Sequence, residues 1–114
     1  MEARAQLRYY RSSPRKVRLL ADMVRGKPVE PALTSLRLSD KYAARDVEKV
    51  VRSALANLEQ AQPGVDVDRV FIRSITVDDG PRLKRGRPAS KWVRYHRILK
   101  RMCHVTVQLA VRES

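Results

Sequence analysis

Acidic side chains are scarce in this chain. Among 114 residues there are 12 Asp and Glu against 25 Lys and Arg, for a formal charge of +13. Other residue types are thin as well. A single cysteine, Cys103, excludes an intramolecular disulfide and fits a reducing compartment. Four scattered glycines build no Gly-rich phosphate loop. His96 and His104 lack the closely spaced partners of a metal site, so neither a metal nor another cofactor is expected. No apolar run approaches the roughly eighteen residues of a membrane-spanning helix. The opening Met1-Glu2-Ala3-Arg4 has no apolar core of the kind a secretory signal needs. Internal repeats and low-complexity linkers are missing too, and the length suits one domain covering 1–114.

What is abundant is positive charge, mostly as arginine. A folded chain with such self-repulsion calls for a polyanionic partner. Arginine presents a planar fork that grips phosphate with two hydrogen bonds and stacks on bases, whereas lysine is a point charge. Nucleic acid is therefore the first candidate partner. An anionic membrane surface is the second.

Apolar periodicity predicts the elements. Residues 2–10 alternate, with Ala3, Ala5, Leu7 and Tyr9 on one face of a half-buried strand. Ser13 and Pro14 mark a helix start as N-cap and first helical residue. Val17, Leu20, Ala21 and Val24 follow at helical spacing, and Gly26 stops the helix. A second helix is expected over 29–38, with Ala32, Leu33 and Leu36 inward. A third carries Val47, Val50, Val51, Ala54, Leu55, Leu58 and Ala61 as one stripe and ends at Pro63-Gly64. Residues 69–78 read as a strand whose alternation breaks. A bulge near Arg73-Ser74 turns Val70, Ile72, Ile75 and Val77 inward together. Residues 102–112 alternate cleanly through Cys103, Val105, Val107, Leu109 and Val111. The expected fold is α+β: a three-stranded antiparallel sheet packed by three helices on one face, with a long β-hairpin protruding.

Residues 80–101, between the last two strands, hold nine Lys and Arg and no acid. Free in water such a segment repels itself. Its strand-like flanks make it an extension of one hairpin, and ten residues per arm reach roughly 30 Å at about 3.3 Å each. Trp92 and Tyr95 interleave with the charge where no core is available, and a base face suits them. Arg82, Lys84, Arg85, Arg87, Lys91, Trp92, Arg94, Arg97, Lys100 and Arg101 are the residues expected to bind RNA here. A second basic site opens the first helix. Arg15, Lys16 and Arg18 stand where cations oppose the helix dipole and where free N–H groups attract anions, so a bound phosphate uses both features. Lys27, in the turn after that helix, joins the set.

At this point the residues resemble a known family. Ser13-Pro14-Arg15-Lys16-Val17-Arg18, Arg25-Gly26-Lys27, Glu48-Lys49-Val50-Val51-Arg52-Ser53-Ala54 with Ala56-Asn57, and Val77-Asp78-Asp79-Gly80-Pro81 are joined by Leu83-Lys84-Arg85 with Pro88, Ile98-Leu99-Lys100-Arg101 and His104-Val105-Thr106-Val107. In this order and spacing they are similar to the universal bacterial family of large-subunit ribosomal protein twenty-two, along nearly the whole chain. The resemblance implies a structural constituent of the large ribosomal subunit in the cytoplasm. Its partners would be large-subunit rRNA, neighbouring ribosomal proteins and the nascent polypeptide. The resemblance also implies help with subunit assembly and a hairpin, 79–101 here, running inward through RNA. The hairpin tip, Arg87, Pro88, Ala89, Ser90, Lys91 and Trp92, would line the exit tunnel. At that tip the chain departs from the usual Arg- and Gly-rich run: no glycine follows Pro88, and Trp92 appears.

Other chemistries fare worse. Cys103 and His104 are adjacent, so on a strand they point to opposite faces and form no dyad. Cys103 reads as a small core residue, and outward-facing His104 as an RNA contact or a cap on a neighbouring carbonyl. Asp66, Asp68, Asp78 and Asp79 read as loop and turn chemistry. An enzyme, a membrane-bound form and a homo-oligomer are not expected. The alternative is a DNA-binding module, with the first two helices as a helix-turn-helix, but Arg37 is the only cation of the second helix.

Overall fold

The computed structural model describes residues 2–88 and 95–112, with side chains described for 2–82 and 101–112. Three helices and three strands form it: β1 (Glu2–Tyr10), α1 (Pro14–Val24), α2 (Val29–Leu38), α3 (Ala44–Ala61), β2 (Val70–Pro88) and β3 (Tyr95–Val111). The sheet is antiparallel in the order β1-β3-β2, so β3 is central and the first strand closes the edge opposite β2.

Each helix forms for a readable reason. In α1 the buried residues Pro14, Val17, Leu20, Ala21 and Val24 recur at three and four, one stripe of a 3.6-residue period. Pro14 has its ring-fixed φ at the first helical position, and Ser13 is extended ahead of it, though its hydroxyl makes no capping bond. Gly26 ends the helix at φ = 78°, where a Cβ is penalised. Its N–H donates to the Ile72 carbonyl at 3.1 Å, and the Ile72 N–H donates to the Lys27 carbonyl at 2.9 Å, so the turn is stitched to β2. In α2, Glu30 in the first turn and Arg37 in the last both complement the dipole. The stripe of α3 runs Val47, Val50, Val51, Ala54, Leu58; Leu55 is half-buried, and Ala61, expected inward, is exposed at the fraying end.

The inward faces of the sheet and helices share one core. Val70, Ile72, Ile75 and Val77 of β2 are all buried, and the register of β2 against β3 shifts between Ile72 and Ser74. The expected bulge therefore sits where the alternation broke. Cys103, Val105, Val107 and Leu109 of β3 meet them from the neighbouring strand, with Val111 half-buried at the end. Burying each such side chain contributes about 1.5–3 kcal/mol.

β1 departs from its predicted alternation. Ala3, Ala5 and Leu7 pack against the core, but Tyr9 is 57% exposed and Tyr10 turns inward instead. The register slips between Leu7 and Tyr10, and Tyr9 takes φ = 58°. This bulge flips the phase, and the Tyr10 hydroxyl then donates to Asp46 Oδ2 on α3 at 2.6 Å. Asp78 and Asp79 also differ from expectation: they lie within β2, opposite His104 and Cys103, not in a turn. Asp66 does act as turn chemistry, its carboxylate accepting the Asp68 N–H at 3.0 Å.

Candidate nucleic-acid interface

β2 and β3 do not stop at the edge of the core. A second register slip, between Asp79 and Arg82, separates body from arm. Gly80 sits in that slip so close to β3 that a Cβ there would lie 3.2 Å from the Met102 carbonyl carbon. Beyond it the pairing runs on from Arg82↔Arg101 to Pro88↔Tyr95. Those seven positions of β2 span roughly 20 Å. The molecule is correspondingly long, 66 × 25 × 16 Å, with a radius of gyration of 17.6 Å, where a compact domain of this length has about 13 Å.

Register puts the arm's charge in unusual company. Arg82 and Arg101, both exposed, stand directly opposite each other where the arm leaves the body. Like charges at facing positions destabilise a strand pair. Among the described residues the other arm cations stand opposite neither Lys, Arg, Asp nor Glu: Lys84 faces Leu99, Arg85 Ile98, Arg87 His96, Arg97 Gly86 and Lys100 Leu83. These are backbone positions, since the side chains of 83–88 and 95–100 lie outside what is described. Ala89, Ser90, Lys91, Trp92 and Arg94 lie outside the described residues altogether. No acid lies within 80–101 to offset any of this charge.

The body, by contrast, pairs some of its cations with acids. Asp22 pairs with Arg25 at 2.5 Å, Glu48 with Arg52 at 2.8 Å, and Glu2 with Arg73. Residues 80–101 hold nine of the 25 Lys and Arg and no acid, while the rest of the chain sets 16 against all 12 acids. Arg15 and Lys16 are exposed in the first turn of α1, which contains no acid, and Lys27 is exposed after its end. The amides there are less available than expected, because the Lys16 and Val17 N–H groups both donate to the Ser13 carbonyl.

Arg18 has a second role. Its Nε and Nη2 donate to the Val77 carbonyl at 3.2 and 2.9 Å. Arg25, seven residues on, donates from Nη2 to the Ile75 carbonyl at 2.9 Å. Arg18 of α1 and Arg25, the residue that caps its C-terminus, thus cover outward carbonyls of β2, an edge strand. The Arg18 contact also holds the start of α1 beside the place where β2 becomes the arm, so the two basic sites are neighbours. Nothing in the spacing of Arg18 and Arg25 announced this, since both lie off the apolar stripe.

His104 accepts the Tyr9 N–H at Nδ1, 3.0 Å away, and meets the Tyr9 ring edge-on at 4.8 Å. It therefore holds the β1 bulge rather than capping a carbonyl. Cys103 points the other way and is fully buried, and that burial pushes its thiol above the ordinary cysteine value. Tyr10 was missed as a polar link. Burial first, and the Asp46 carboxylate second, push its phenol well above the ordinary tyrosine value.

A family model described as Ribosomal protein L22p/L17e matches residues 5–110. The chain belongs to this family. Its curated relatives agree over the full length. A protein of Syntrophotalea carbinolica named Large ribosomal subunit protein uL22 is 56% identical over 110 residues, covering 96% of this chain and 97% of that one. Proteins of the same name from Geobacter sulfurreducens and Solibacter usitatus are 50% identical over 113 residues and 41% over 114, with 99–100% of each chain covered. α2 is a poor reading helix for DNA: it turns Val29, Ala32 and Leu36 into the core, carries Glu30 at its start, and has Arg37 within 3.9 Å of Glu48.

Proposed function

We propose that this chain is a structural constituent of the large subunit of the cytoplasmic ribosome, held there by large-subunit rRNA. Membership of the L22p/L17e family carries the ribosomal part of this reading, and the RNA-binding part is carried by the Arg82–Arg101 pair, two exposed guanidinium groups at facing positions in an arm without acids. Phosphate between or beside them turns a repulsion into an attraction and releases condensed counterions. Folded RNA offers backbone and shape along the arm's whole length. Arg82, Lys84, Arg85, Arg87, Arg94, Arg97, Lys100 and Arg101 carry most of the binding, with Lys91 and Trp92 adding to it near the tip. Arg15, Lys16, Arg18 and Lys27 add phosphate contacts at the arm's root, with Arg18 using the donors that Val77 leaves free.

The arm also sets the finer role. Running inward through RNA, it helps order the subunit during assembly. Its tip, Arg87, Pro88, Ala89, Ser90, Lys91 and Trp92, lines the tunnel and meets the nascent polypeptide. Neighbouring ribosomal proteins contact the body. Family membership and the arm's length support this reading.

Replacing Arg82, Arg85 and Arg101 together with Glu tests the core of it. Binding of the full chain to large-subunit rRNA is expected to fall more than a hundredfold, and the slope of log affinity against log salt to flatten by about one per lost phosphate contact. The circular-dichroism spectrum of the body should stay unchanged. An affinity within a few-fold of the unmodified chain would overturn the reading.

A further inference from the structure

The described surface of the body exposes four large apolar side chains, Tyr9, Leu19, Leu38 and Tyr42. Tyr9 is accounted for by the β1 bulge. Leu19, 56% exposed, and Tyr42, 88% exposed, line one groove of about 390 Å³ between the start of α1 and the α2–α3 connection. Arg11, Lys16 and Lys41 line the same groove, and no acid does. Ser13 lines it too, and its hydroxyl is not used to cap α1. The groove that adjoins Tyr42 on the α3 side differs in kind: Asp40, Asp46 and Glu48 share it with its cations.

A tyrosine exposed to this degree adds almost nothing to the core, so the fold does not account for it. The groove offers a flat aromatic face, an apolar wall, a free hydroxyl and three cations. That combination suits an unpaired nucleotide, whose base stacks on an aromatic ring while its phosphate meets lysine or arginine. The volume lies in the range of pockets that hold small ligands. An acidic peptide would use the cations but leave the ring's face without a planar partner.

We propose that this groove binds one unpaired rRNA nucleotide, its base stacked on Tyr42 opposite Leu19 and its phosphate held by Lys16 and Lys41. The inference rests on the rRNA-binding reading above and adds a contact on the body that the arm does not provide.

The test measures binding of the full chain to deproteinised large-subunit rRNA over a salt series, for the unmodified chain, Tyr42→Ala, Tyr42→Phe and Lys16→Gln. Tyr42→Ala is expected to bind roughly tenfold to a hundredfold more weakly with the same salt slope, because stacking releases no counterion. Tyr42→Phe keeps the ring and stays near the unmodified affinity, whereas Lys16→Gln flattens the slope by about one. If Tyr42→Ala binds rRNA within twofold of the unmodified chain, the inference is overturned, and the arm's role survives provided the Arg→Glu variant still loses binding. Unchanged rRNA affinity with reduced incorporation into subunits assembled from all their proteins would assign the groove to a protein neighbour, again overturning the inference. If the unmodified chain does not bind rRNA, both readings fall.

Discussion

Tyr10 joins a strand's local irregularity to a helix through one hydroxyl. Its bond to Asp46 ties β1 to α3, and the slip at Tyr9 is what brings it there. Tyr10→Phe removes one partly buried hydrogen bond and should lower stability by about 1 kcal/mol at neutral pH. The pH dependence follows from the direction of the shift. The folded state holds the phenol neutral above its ordinary value near 10.0. As pH rises past that value the unfolded chain ionises first and gains stability, so the benefit is full below pH 10 and declines above it. Urea denaturation at several pH values is expected to show the gap between wild type and Tyr10→Phe narrowing above pH 10. A gap that widens there would contradict the assignment. None of this was legible in the sequence. A bulge at φ = 58° is usually signalled by glycine or asparagine, and here a tyrosine occupies it.

At the scale of elements, the packing faces were legible and the polar ties between them were not. The stripes of α1 and α3 and the broken alternation of β2 follow from apolar spacing, which hydrophobic burial enforces. Arg18 and Arg25 appear in the sequence only as charges off the stripe, yet they cover β2 carbonyls. Arg18→Met keeps much of the stem and deletes the guanidinium, leaving the Val77 carbonyl to water. A loss of about 1.5–3 kcal/mol is expected for a hydrogen bond to a charged group, toward the low end for a partly buried one. The urea midpoint checks it. Gly80→Ala probes the arm's root by another route. The new methyl would press on Met102 backbone atoms at 3.2–3.3 Å, and a strand backbone yields little. Thermal denaturation should show a loss on the order of 1 kcal/mol. No change would mean that the slip between Asp79 and Arg82 is softer than it looks.

For the molecule as a whole, charge and shape divide the work. A core of mostly Val, Ala and Leu gives a small body, and two paired strands carry an acid-free run of nine cations outward from it. The protruding hairpin could be read in advance, because an acid-free basic run lies between two strand patterns. The outward side of the sheet could not. There Gln108 links Glu2 and Ser74 at 2.7 and 3.3 Å, a network no periodicity encodes. At the start of α1 the spacing did not show that the Lys16 and Val17 amides are bonded to the Ser13 carbonyl.

Ultraviolet cross-linking of intact large subunits, followed by mass spectrometry of nucleotide-bearing peptides from this chain, tests the central claim most directly. The arm lying against rRNA predicts that cross-links concentrate within 79–101, with a smaller set around 11–18 and 41–42. Subunits whose cross-links fall on the body alone, with 79–101 free of nucleotide, would contradict it.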